Sequence, residues 1–232
     1  MKLMRQNCDA RQAGKNHMRK HGQTARFVLF SMAALLLLMT ACSLPGKSPK
    51  KPSHFYLLQG GGYTSATTEC LPKPCPSLRI STPVAAPGYD TTRIAYVTEP
   101  PRLDYFAHHL WVDPPARMLA TAMEVRLDAS GLFGAVLSQT SGVDTNLRLD
   151  TELLRLQQVF SGNSSSVELV VKVVLVDLER REWLVSHTFE YEEIAAGANP
   201  AAGVDAAERA VTRFLNDLTE FLAAAMRPQP SA

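Results

Sequence analysis

Residues 167–177, VELVVKVVLVD, place Val167, Leu169, Val171, Val173 and Leu175 at every second position. A helix would scatter these side chains around its circumference, whereas an extended strand sets all of them on one face. The stretch therefore reads as a central strand with a wholly apolar side. EWLVSHTFEYEE, residues 182–193, also alternates, with Trp183, Val185, His187, Phe189 and Tyr191 on one side. Residues 146–160 carry Leu147, Leu149 and Leu153 on one phase, then Leu154, Leu156 and Phe160 on the other. That switch predicts a bulge near Leu153. SGNSSS reads as a turn, so the three strands should form an antiparallel meander.

An apolar sheet face needs a cover, and two segments offer one. After Asn199-Pro200, a cap followed by proline, Val204, Ala207, Val211, Phe214, Leu218, Phe221, Leu222 and Ala225 recur at three and four, and Pro228 ends the pattern. In VDPPARMLATAMEVRLDASG, Asp113 can cap a helix whose apolar face holds Met118, Leu119, Ala122, Met123 and Leu127, with Gly131 as its stop. Shorter strands are expected at 54–59, 78–84, 93–98 and 103–111, with Pro100 and Pro101 enforcing the turn before the last. Residues 60–76, rich in Gly and Pro, read as a loop. The expected fold is α+β: a mixed, largely antiparallel sheet with two amphipathic helices packed on one face.

Ahead of this domain stands FVLFSMAALLLLMTA, residues 27–41, uncharged and too short for a comfortable membrane span. With Arg19, Lys20 and Arg26 before it, the run matches a secretory signal. Met39-Thr40-Ala41-Cys42 resembles the bacterial lipobox. That resemblance implies a diacylglycerol on the Cys42 sulfur, cleavage before it and acylation of the new amino end. Met18 is a better start than Met1, since residues 18–42 form a leader of ordinary shape. The expected organisation is a leader over 1–41, a tether over 42–53, one domain over 54–227 and a tail over 228–232. The Pro-, Ser- and Lys-rich tether should stay extended.

Of 24 basic and 22 acidic residues, seven and one lie within 1–41, which leaves 17 and 21 and a net charge of −4. The basicity thus belongs to the leader, and nothing in the mature chain suggests a nucleic-acid partner. Cys70 and Cys75, in ECLPKPCPS, could form a local disulfide in an oxidising compartment. Metal binding is the rival, although no second Cys or His pair stands at ligand spacing.

No nucleophile elbow, metalloprotease helix or phosphate-cradling loop occurs. His108 and His109 are adjacent, and neighbours on a strand point to opposite faces. His187 reads as a core histidine, and Glu190, Glu192 and Glu193 as a solvated strand end. No catalytic residue, metal or cofactor is expected. Residues 89–111 are different in kind. They hold Tyr89, Tyr96, Tyr105, Phe106 and Trp111 with poor alternation, more aromatic surface than one strand face buries. Core packing is the ordinary explanation for such density, with a partner surface as the alternative. Part of the stretch, Tyr105 and Trp111 first, is expected to stay exposed and, with Tyr89 and Phe106, to contact a partner protein or a second copy.

The stretch APGYDTTRIAYVTEPPRLDYFAHHLWVDPPARMLATAMEVRLDASGLFGAVLS, residues 86–138, resembles the auxiliary lipoproteins of ABC-type transporters, the paraquat-inducible protein C-like group. In that family a lipobox precedes a Y-x-L strand, here Tyr56-Leu57-Leu58. V-x-x-P-G-Y, R-I-x-Y and W-x-D-P-P before a helix follow, all present as written. The segment with Cys70 and Cys75 is outside the pattern. The resemblance covers nearly the whole mature chain, through structural rather than catalytic motifs. It implies a non-enzymatic subunit of transporters that move lipids or other apolar molecules between two membranes. Its partners would be a protein with mammalian-cell-entry (MCE) domains, an inner-membrane permease and an ATPase. Ser43 after the cysteine resembles the outer-membrane sorting pattern. The rival readings are a stand-alone lipoprotein that binds a ligand or activates a cell-wall enzyme, and a lipid-cleaving enzyme.

Overall fold

The computed structural model describes residues 52–61 and 75–227. Cys42, Cys70, the leader, most of the tether, Pro228 and the tail lie outside the described residues. The elements run β1 (His54–Tyr56), β2 (Ser77–Ile80), β3 (Val84–Ala85), β4 (Arg93–Val97), β5 (Asp104–Trp111), α1 (Pro115–Ala129), β6 (Ala135–Ser138), β7 (Leu147–Ser161), β8 (Ser164–Asp177), β9 (Glu182–Ile194) and α2 (Pro200–Ala225).

The meander β7–β8–β9 is antiparallel throughout. Gly162 and Asn163 make the first hairpin loop, and only Gly162 takes a positive φ, 59°, as a type II′ turn requires. In the second loop the Asp177 carboxylate accepts the amides of Glu179 and Arg180, both at 2.9 Å. The expected bulge falls between Leu153 and Arg155 and hands the inward positions from Leu153 to Leu156. Strand β8 buries the whole predicted face, Val167 through Leu175, to 2 % exposure or less.

The other edge of β7 is shared. β2, β3 and β4 run parallel to it one after another, opposite Leu147–Leu149, Glu152–Leu153 and Gln158–Val159. β6 extends the sheet beyond β2, while β5 and then β1 extend it beyond β4. The nine strands thus form one mixed sheet, with the long ladders antiparallel and the short ones mostly parallel. Residues 78–84, expected as one strand, split into β2 and β3 around Ser81 to Pro83, whose proline has no amide to give a ladder. β6 was not expected: its four residues are all half-buried and carry no alternation.

Both helices cover the same face. Asn199 caps α2, its Oδ1 accepting Ala202 N–H at 3.0 Å. Phe214, Leu218 and Leu222 then sit at 0 % exposure over the meander. Helix α1 is capped differently from the sequence expectation: Pro114 is the cap residue, and Asp113 instead lies 3.6 Å from Arg117. Gly131, at φ 67°, follows its last turn. Outer ties fix α2 on β9. Tyr191 donates to Asp217 at 2.7 Å, and Arg213 donates to Glu193 at 2.6 Å.

Strand β9 departs from strict alternation. Leu175 pairs with Val185 but Val176 pairs with Trp183, so Leu184 is an extra residue and the phase flips. Trp183 turns out to solvent at 69 % exposure, and Leu184 packs on the core instead. His187 is also exposed rather than a core histidine, resting on Phe189 and Phe221 at ring distances of 4.6 and 5.3 Å.

One polar knot sits inside. Gln158 is 2 % exposed, and its amide donates to Ser165 Oγ at 2.8 Å and to the Asn199 carbonyl at 3.1 Å. Ser165 in turn donates to Gly197 O at 3.1 Å, so the knot joins β7, β8 and the start of α2. Helix α2 carries Gly203 where it crosses this amide, because a Cβ there would overlap Gln158 Oε1 and stand 2.5 Å from Cδ. Alanine is about 1 kcal/mol better than glycine inside a helix. Gly203→Ala should nonetheless destabilise the domain by about 1–3 kcal/mol in urea denaturation, through overpacking. Adding Gln158→Ala should remove most of that difference, and an unchanged midpoint for the single variant would show that the amide yields.

Candidate docking surface

β1 and β5 run parallel with His54 beside His109, Phe55 beside Leu110 and Tyr56 beside Trp111. The period of two puts His54, Tyr56, His109 and Trp111 on the helix side of the sheet. Trp111 goes inward: at 3 % exposure it is a core residue, not the exposed contact expected from sequence. It lies where Val204 and Ala207 of α2 cross the sheet, so helix packing consumes its surface. His54 and His109, nearer the sheet's end, are left over that boundary. Their rings stack at 5.0 Å, and the Tyr56 hydroxyl shares a 2.8 Å hydrogen bond with His109 Nδ1.

Phe106 continues the group. It stacks on Tyr96 at 4.5 Å, meets Phe160 edge-on at 6.2 Å and meets His109 at 6.1 Å. Four strands, β1, β5, β4 and β7, thus supply one half-buried aromatic and histidine cluster. A depression of about 430 Å³ lies over it, lined by His54, Phe106, His108, His109 and, from either side, Pro52 and Pro200. Pro52 lies two residues before β1.

Tyr105 and Tyr89, expected beside Phe106, belong to the opposite face. Tyr105 pairs with Ala95 while Leu110 pairs with Arg93, so β5 carries three extra residues between these pairs and its phase flips. Tyr105, half-buried rather than exposed, shares the face of Leu110, and Phe106 that of His109. Its hydroxyl donates to Gly88 O at 2.8 Å, with the Arg93 guanidinium 4.1 Å above the ring. Tyr89 donates to Gln157 Oε1 at 2.6 Å. Burial pushes its pKa up, against the pull of Arg155. The four residues singled out from sequence therefore separate into one core residue, one member of the cluster and two residues on the far face. Sequence reasoning also missed the roles of His54, Tyr56 and Phe160. Only the parallel β1–β5 and β4–β7 pairings gather them, and no local period announces such pairings.

Among the described residues no group of three or more His, Cys, Asp or Glu is placed to hold a metal ion. Cys75 is disulfide-bonded. No helix among the described residues is long and apolar enough to cross a membrane.

The sequence of residues 56–219 matches the family model described as the ABC-type transport auxiliary lipoprotein component. The chain belongs to this family. It is a lipoprotein family of the bacterial envelope, associated with ABC transport. Among solved structures, the chain is similar to XCC0632 from Xanthomonas campestris, at 19 % identity and a TM-score of 0.65, covering 75 % of this chain and 96 % of that one. An uncharacterized protein aligns with a TM-score of 0.58 at 10 % identity, over 74 % of this chain and 99 % of its own. These likenesses bear on the fold. Among curated proteins none matches.

Trp111→Ala should therefore cost about 3–5 kcal/mol of folding stability, as deletion of a buried aromatic does. A chemical denaturation midpoint within error of the unaltered protein would contradict the core placement. His109 carries a pH dependence. Its pKa lies below the usual imidazole value, chiefly through burial and then through repulsion from His54 and His108. The unfolded chain then takes up this proton first as pH falls. The contribution is complete above about pH 6.5 and is lost as pH drops through the lowered value. Thermal midpoints measured from pH 7.5 to 5 should fall less steeply for His109→Gln, and parallel slopes would contradict this assignment.

Proposed function

We propose that the protein is a non-catalytic, lipid-anchored adaptor at the periplasmic face of the outer membrane. It docks an MCE-domain protein that works with an inner-membrane permease and ATPase to move lipids or other apolar molecules across the envelope. The observation that carries this reading is the half-buried cluster around Phe106 and His109, at the place where the tether joins the domain. Aromatic side chains anchor interfaces because they bury much area with few rotatable bonds. Family membership and the lipobox at Cys42 supply the transport and membrane settings. In this reading the leader ends at Ala41, residues 42–53 are the tether, residues 54–227 are one docking domain and residues 228–232 are a tail. Cys70 pairs with Cys75 and stiffens the loop between β1 and β2.

Two measurements test it. Cys42→Ser should abolish acyl labelling and leave uncut precursor in membranes, and normal labelling would refute the anchor. Phe106→Ala in the full chain should weaken co-purification of an MCE-domain protein from solubilised membranes at least about tenfold, as loss of a hot-spot residue does. Its thermal midpoint should shift by only a few degrees. Undiminished co-purification, or recovery of a cell-wall enzyme in place of transporter subunits, would overturn the docking assignment.

A further inference from the structure

The opposite side of the same edge carries a second surface. Phe55 and Leu57 point away from the histidine cluster and stand 63 % and 55 % exposed, and Val112 is 46 % exposed. The three follow one another along the β1–β5 edge. Phe55 lies beside Leu110, and Val112 N–H donates to the Tyr56 carbonyl at 2.9 Å, while Leu57 and Val112 also form the rim of the groove beside α1, where this edge turns over to the helix side. Inboard of them Arg93 stands opposite Leu110. It makes no ion pair among the described residues and lies over the Tyr105 ring. An exposed apolar edge backed by an arginine and a tyrosine has the composition of a lipid-headgroup boundary, where apolar side chains enter and Arg and Tyr stay at the polar level.

We propose that this edge rests on the phospholipid surface that the anchor enters, with Phe55, Leu57 and Val112 in the headgroup–acyl boundary and Arg93 toward lipid phosphates. The proposal rests on the reading of Cys42 as the lipid anchor. Only residues 43–53 separate Cys42 from β1, so at full extension they reach about 40 Å, and Phe55 is the second residue of the domain proper. Of the large exposed apolar side chains among the described residues it is the first after the tether. Trp183, exposed on β9, lies at the far edge of the sheet, and Ile194 ends that same strand.

The test uses the full lipidated chain in vesicles of phosphatidylethanolamine and phosphatidylglycerol, with and without bromine on the acyl chains. Bromine quenches only indoles that reach the bilayer. Phe55→Trp should lose about twofold of its added emission in brominated vesicles, consistent with shallow insertion at the boundary. The native pair Trp111 and Trp183 should lose none. If the Phe55→Trp chain sediments with vesicles but is unquenched, the inference is overturned while the anchor stands. If Trp183 is quenched instead, the far edge faces the lipid and the inference is overturned. Unquenched emission that shifts with protein concentration assigns the patch to a second copy, which also overturns it. A chain that does not sediment with vesicles at all refutes the anchor, and the proposal falls with it.

Discussion

Strand β7 gives one edge to β8 along its whole length and offers the other, in turn, to β2, β3 and β4. The strand must therefore be satisfied on both edges and both faces at once. Its inward side chains, Leu147, Leu149, Thr151 and Leu153, are buried under the helices, and after the bulge Leu156 and Gln158 take over. Without the extra residue at Leu154 the second half of the strand would present its apolar side chains to solvent. That single insertion keeps the core continuous from α1 to α2. It also fixes where β4 meets β7, and hence where β5 and β1 lie.

The polar knot at Gln158 marks the end of this core. A buried amide is costly unless held, and here it binds the turn that launches α2. Beyond it the helix no longer covers the sheet, and Tyr96, Phe106, Phe160 and His109 fill the space with rings rather than aliphatic side chains. The proposed docking surface is thus the uncovered remainder of the helix-facing side. Its position follows from where Asn199 and Pro200 start the helix.

The meander and both helices were legible in the sequence because their partners are local or their apolar periods long. Val167 to Leu175 needed no tertiary information to be read as a buried face. Parallel neighbours were not legible: His54 and His109 are far apart in the chain, and three-residue β1 has no period of its own. Trp183 misled for a different reason. EWLV offers an apolar side chain in either phase, so only the register against Val176 reveals that Leu184 bulges and the tryptophan turns out. Trp111 misled because aromatic density reads as surplus from sequence, whereas α2 crosses the sheet at that point with small residues, Gly203 and Ala207, and leaves room to bury a large ring.

The account places partner contact on the helix-facing cluster and leaves the polar outer face of the meander free. Photo-crosslinking in intact cells separates these faces directly, with a photoreactive amino acid at position 106 in one strain and at position 188, an outward site on β9, in another. The account predicts a covalent product with a transporter subunit from position 106 and none from position 188. A product from 188 with none from 106 would contradict it.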